Sequence, residues 1–204
     1  AYKKEKKMKH AELENGFGIG REKTNFYTAE DISLMFTVLK DNYLHKVWLK
    51  LLFAYGLTLI ELVNIKVGDI DFDNKKIKIN SSKKMRHRVL SLPKCLFYEL
   101  QRESVHKKPY ELLFQGRTSE GKIHPRTIQK LFEKLHHHTG MEVSISKIRR
   151  STAIHFLQSG WEEKEVTRLL GHSHLRTTRK LIGNCQKSFY KTNFPLDEIL
   201  ENAA

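Results

Sequence analysis

Apolar residues recur at three- and four-residue spacing along most of this chain, and the period changes once, between residues 67 and 92. Thr28 followed three positions later by Asp31 reads as a helix N-cap with its acidic N3 partner. It predicts a helix of about a dozen residues with Ile32, Met35, Phe36 and Leu39 on one face. A strongly apolar helix follows over Leu44 to Tyr55 and is broken by Gly56; Thr58 to Asn64 predicts a third, with Leu59, Leu62 and Val63 facing inward. Val67 to Phe72, Lys76 to Ile79 and Val89 to Leu92 then alternate as strands do, with a turn at Asp73-Asn74 and a longer basic one, SSKKMRHR. They predict a small antiparallel sheet with a cationic hairpin at its edge.

After Pro93 the helical period returns at about 94–104 and, beyond a GRTSEGK loop, at about 124–137. Three short helices follow from Ser144 to Lys180. The first begins at Ser146 and carries Ile148, Ala153, Ile154, Phe156 and Leu157 to a stop at Gly160. The second runs from Glu162 to Leu170 and ends at Gly171; the third begins near Ser173–His174 and turns Leu175 and Leu181 inward. A tail with Phe189, Tyr190, Phe194 and Leu196 ends in a short helix over Leu196 to Leu200. Helices, a small sheet, then helices define an α+β domain, mostly helical, over residues 28–204. Residues 1–27 have no such period and read as a basic arm or linker, with five lysines in the first nine positions.

Charge narrows the partner. Thirty-seven Lys and Arg against 23 Asp and Glu give +14, an excess that favours nucleic acid or another anionic surface. The basic N-terminus is followed by no apolar signal core, and no run of about 18 apolar residues suggests a membrane span. A cytoplasmic, nucleoid-associated protein is expected. Cys95 and Cys185 lie far apart without metal spacing and read as reduced thiols.

Two clusters carry candidate chemistry. Arg149, Arg150, His172, Arg176 and Arg179 come from the three late helices, and Lys83, Lys84, Arg86 and Arg88 from the hairpin. Guanidinium forks and proton-donating imidazole suit phosphate oxygens. His136-His137-His138 are consecutive, so their side chains diverge on a helix and no metal site is expected. His155 reads as a core histidine and Trp48 and Trp161 as packing residues. Gly16, Gly18 and Gly20 follow no strand, and no nucleotide or other cofactor is expected.

GLTLIELVNIKVGDIDFDNKKIKIN, KKMRHRVLSLP, SKIRRSTAIHFLQSG and LLGHSHLRTTRKLI, in this order, resemble the catalytic domain of the tyrosine recombinase (phage integrase) family over about residues 28–200; FPLDEIL resembles its closing segment. The resemblance implies that two arginines bind the scissile phosphate of double-stranded DNA. A hairpin lysine protonates the leaving oxygen, two histidines assist, and a tyrosine attacks to give a phosphotyrosine. Lys83 falls at the lysine, with Lys84 as a near neighbour; Arg149 falls at the second arginine, His172 at the LGH histidine, and Glu61 at an acidic supporting position.

Three family positions are substituted. Thr58 stands where the first arginine belongs, Ser146 replaces the histidine three residues before Arg149, and Leu181 occupies the tyrosine position nine beyond His172. Leucine is no nucleophile and threonine neutralises no phosphate. The expectation is a DNA-binding protein on the recombinase fold that does not cleave. Lys83, Arg86 and Arg88 would face a groove, while Arg149, Arg150, Arg176 and Arg179 hold phosphates. No residue is placed by the sequence to replace the arginine missing at Thr58. Two alternatives stand beside it: an active strand transferase with Tyr190 as relocated nucleophile, and a homo-oligomeric or pseudo-subunit role beside an active recombinase through the tail. The family's N-terminal clamp domain is expected to be missing, with the arm as its linker.

Overall fold

The structure, a computed structural model, describes residues 25–81, 85–116, 121–183 and 195–201. Its elements are α1 (Ala29–Val38), α2 (Tyr43–Tyr55), α3 (Leu59–Val63), β1 (Ile70–Asp71), β2 (Lys76–Ile79), β3 (Arg88–Ser91), α4 (Lys94–Ser104), α5 (Pro125–Thr139), α6 (Ile145–Gln158), α7 (Glu163–Leu169), α8 (Leu175–Ile182) and α9 (Pro195–Glu201). Helix α2 is apolar nearly all round, and eight of its residues from Val47 to Tyr55 are buried, the signature of a central helix. It packs against α4 on one side and α6 on the other. Gly56 then takes a left-handed turn at φ 55°, where a side chain would also run into Leu170.

The three strands form an antiparallel sheet in the order β1-β2-β3. Residues 67–69, expected as strand, are instead a single 3-10 turn. The Asp69 carboxylate accepts the Lys66 N–H at 2.9 Å, and Pro109 and Glu111 take the N–H groups of Gly68 and Val67, so local caps outcompete the ladder. Register pairs Ile79 with Arg88 and Ile77 with Leu90. Cross-strand partners share a face, so Arg88 lies on the side of the buried isoleucines.

Both ends of the described chain are tied down. Tyr27 is fully buried; its N–H donates to Ser151 Oγ at 2.7 Å, its hydroxyl to the Glu142 carbonyl at 2.6 Å, and its carbonyl accepts from His155 Nε2 at 2.8 Å. His155 is thus a hydrogen-bonded histidine of the core margin. Helix α4 starts at Pro93, which has no side-chain acceptor. Asp197 of α9 supplies the missing cap, accepting the N–H groups of Lys94 and Cys95 at 3.1 and 3.0 Å. Among the described residues no helix is long and apolar enough to cross a membrane, and no group of His, Cys, Asp or Glu could hold a metal ion.

Candidate functional site

The site forms where the C-terminus of α2, the N-terminus of α3, strand β3, helix α6 and the α7–α8 loop meet. Thr58 caps α3: its Oγ1 accepts the Glu61 N–H, and Glu61 returns the bond to the Thr58 N–H at 2.8 Å. This capping box fixes Glu61, a residue 3% exposed. Arg88, expected on the groove face of the hairpin, is instead buried at 8% exposure. Its Nη1 reaches Glu61 Oε1 at 2.6 Å and Ser81 Oγ at 3.1 Å, while Nη2 lies 3.4 Å from Glu61 Oε2. Ser81 also donates to Glu61 Oε1. The reason is register: a buried carboxylate opposite the core face of β3 draws the guanidinium inward.

Arg149 approaches the same carboxylate from α6, with Nη1 4.0 Å from Glu61 Oε2. It too is buried, rather than standing out from its helix. Its Nη1 donates to the Gly56 carbonyl, and its Nη2 to the Leu170 carbonyl at 3.2 Å and to His172 Nε2 at 3.0 Å. A guanidinium only donates, so His172 Nε2 accepts and its proton rests on Nδ1, 2.9 Å from Thr178 Oγ1. Thr178 lies 2.8 Å from Thr167 Oγ1, which donates to the Glu163 carbonyl at 2.6 Å. Burial and the neighbouring charges of Arg149 and Arg88 push the His172 pKa down to about 4. Burial, opposed by Glu61 and reinforced by Arg88, lowers that of Arg149 to about 10. Desolvation raises the Glu61 pKa, but its bonds and charge contact with Arg88, with Ser81 and Thr58 added, outweigh it and hold it low.

The remaining cations lie outside this buried knot. Arg86, Arg176 and Arg179 are exposed and Arg150 half-buried; Arg179 Nε bonds Glu163 Oε2 at 2.8 Å, and Arg150 makes a long 3.5 Å bond to the Asn25 carbonyl. Ser146 is exposed on the first turn of α6. Leu175 and Leu181 are half-buried, and the residue that α8 turns fully inward is Thr178. Lys83, Lys84 and Tyr190, with Cys185, Phe189, Phe194 and residues 1–24 of the arm, lie outside the described residues.

A cleft of about 470 Å³ opens beside the knot, lined by Arg88 and His172 together with Arg86, Lys164, Arg168 and Gly171. The Arg86 N–H donates to the Gly171 carbonyl at 2.9 Å, tying the hairpin to the α7–α8 loop. Gly171, at φ +71°, leaves no room for a Cβ, which would sit 2.6 Å from Arg88 Nη1. Lys164 and Arg168 were not singled out above; their i, i+4 spacing on an amphipathic helix was the available signal.

A helical α+β domain with a three-stranded sheet, converging on buried arginines, a histidine and a shared carboxylate, has the architecture of a tyrosine recombinase catalytic domain. A crystal structure of XerA recombinase superposes with a TM-score of 0.67 over 87% of this chain and 64% of that one, at 17% identity. XerH recombinase in a pre-cleavage complex with its difH substrate gives 0.65 over 79% and 51%, also at 17% identity. In sequence, tyrosine recombinase XerA of Pyrococcus horikoshii is 32% identical over 142 residues, covering 68% of this chain and 50% of that protein. A tyrosine recombinase of Pseudothermotoga lettingae is 32% identical over 164 residues, 78% of this chain and 56% of that one. The phage integrase family profile matches residues 25–182. The chain belongs to the phage integrase family, and it spans about half the length of the curated relatives it matches.

Proposed function

We propose that this chain binds double-stranded DNA on the face bearing the cationic cleft and does not cleave it. The observation that carries the reading is at Leu181: the position nine beyond His172 holds a hydrocarbon packed against the core, where the family requires a nucleophilic tyrosine. Two features support it. Thr58 spends its hydroxyl on the α3 cap, and His172 already accepts from Arg149, so neither is free to assist a proton transfer. The relatives are tyrosine recombinases and one of the structural neighbours was captured on its DNA substrate, which supports duplex DNA as the ligand. Arg86, Lys164, Arg168, Arg176 and Arg179 would neutralise backbone phosphates, with Lys83 and Lys84 adding to the hairpin side.

The test is selection from fragmented genomic DNA near physiological salt, with the recovered complexes also run on a denaturing gel. An enriched sequence without a covalent band is the expected result. A protein–DNA band that survives denaturation overturns the reading and directs attention to Tyr190. No enrichment at all points to the partner-subunit role, for which mixing with an active recombinase is the assay.

A further inference from the structure

We infer that Arg88, reaching in from strand β3, supplies the second guanidinium of a buried phosphate-binding site centred on Glu61, Arg149 and His172. It would thereby stand in for the arginine that Thr58 has displaced. The inference rests on the DNA-binding reading only for the source of the phosphate.

Charge is the first argument. Two guanidiniums, Arg88 and Arg149, share one carboxylate, and their Nη1 atoms lie 2.6 and 4.0 Å from its two oxygens. His172 is neutral at physiological pH, since its pKa has fallen to about 4. The knot therefore holds one positive charge in excess, and the charges acting on Arg149 are Glu61 and Arg88. Excess charge at 8% exposure is costly unless an anion completes the set.

Donor capacity is the second. A guanidinium carries five N–H groups. Among the described residues Arg88 Nε is buried with no partner, and its Nη2 makes a single long contact. Arg149 commits Nη1 to the Gly56 carbonyl and Nη2 to the Leu170 carbonyl and His172, while Arg88 Nε stays open. These donors suit a tetrahedral oxyanion. Access is the third: Arg88 and His172 both line the 470 Å³ cleft, whose rim carries Arg86, Lys164 and Arg168. Glu61 holds both guanidiniums in register, and the Thr58–Glu61 capping box holds Glu61. Position 58 thus gives up the arginine's direct contact and fixes instead the carboxylate that aims Arg88.

The experiment uses the full chain with two probes, inorganic phosphate and duplex DNA. Thermal unfolding is followed in phosphate against chloride at matched ionic strength for the wild type, Arg88→Gln, Thr58→Arg/Arg88→Gln and the surface control Lys130→Gln, on the exposed side of α5. Phosphate is expected to raise the wild-type midpoint. Arg88→Gln should weaken the apparent phosphate affinity by roughly tenfold, the double variant should restore it, and Lys130→Gln should leave it unchanged. On duplex DNA, Arg88→Gln should reduce the slope of log K against log salt by about 0.9. Absence of a phosphate effect in the wild type, or its survival in Arg88→Gln, overturns the inference. If Arg88→Gln does not fold, Arg88→Lys keeps the charge without the fork, and wild-type phosphate affinity in that variant is equally fatal. A phosphate effect dependent on Arg88 in a chain that binds no duplex leaves the inference standing and removes the DNA reading. Duplex binding indifferent to Arg88 does the reverse.

Discussion

Arg149 and His172 are held 3.0 Å apart with the imidazole as acceptor, so protonating His172 breaks the bond and places two cations face to face. The folded pKa, near 4, lies below the ordinary value of about 6.5. The unfolded chain therefore binds the proton more readily, and stability rises with pH between these two values. The neutral ring contributes fully above about pH 6.5, and the contribution is lost on acidification towards pH 4. About 2 kcal/mol should be gone by pH 5. Burial lowers the His155 and His45 pKa values as well, which adds in the same direction. Unfolding midpoints across pH 4–8 should show the slope, and His172→Gln, which retains an acceptor, should flatten it.

Glu61 is predicted to be the most sensitive position of the knot. Glu61→Gln leaves Arg88 and Arg149 buried without a counter-charge and should cost about 3–5 kcal/mol. Arg88→Gln should cost less, because Arg149 still lies 4.0 Å from the carboxylate. Denaturant titration of both single variants and the double variant measures the order and the coupling.

Thr58→Ala should cost about 1 kcal/mol through loss of the α3 cap, and Thr58→Ser should recover most of it. Equal stability of the alanine and serine variants would remove the hydroxyl from the account.

The helices were largely legible because their apolar faces and caps are local. Thr28 with Asp31 and Gly56 after α2 both follow from residues within a turn of each other. The knot was not legible, because its bonds join residues far apart in sequence. Arg86 and Arg88 look alike in KKMRHR, and only the pairing of Arg88 with Ile79 sends one inward. Thr178 was passed over for Leu175 and Leu181, since a hydrophobic count gives no weight to a buried hydroxyl that serves His172. Thr58 was read as an absence. The T-x-x-E spacing to Glu61 was present all the same, and it marks a capping box.

Asp197→Ala should uncap α4 from a distance of about a hundred residues in sequence. The expected loss is about 1 kcal/mol, with faster amide exchange at Lys94 and Cys95, the two N–H groups it accepts. Unchanged exchange at both amides would separate α9 from the stability of α4.

Tyr27 joins the start of the described chain to the helix that carries Arg149. Its backbone and ring are fastened to Ser151, His155 and Glu142, and Lys147 covers the ring at 4.6 Å. Three of those four residues belong to α6, and Ser151 stands two positions from Arg149. One helix therefore serves two ends: the side chains that seat Tyr27 and the guanidinium that meets His172 leave the same rod within two turns. A substitution that shifts α6 to loosen the Tyr27 socket would also move Arg149.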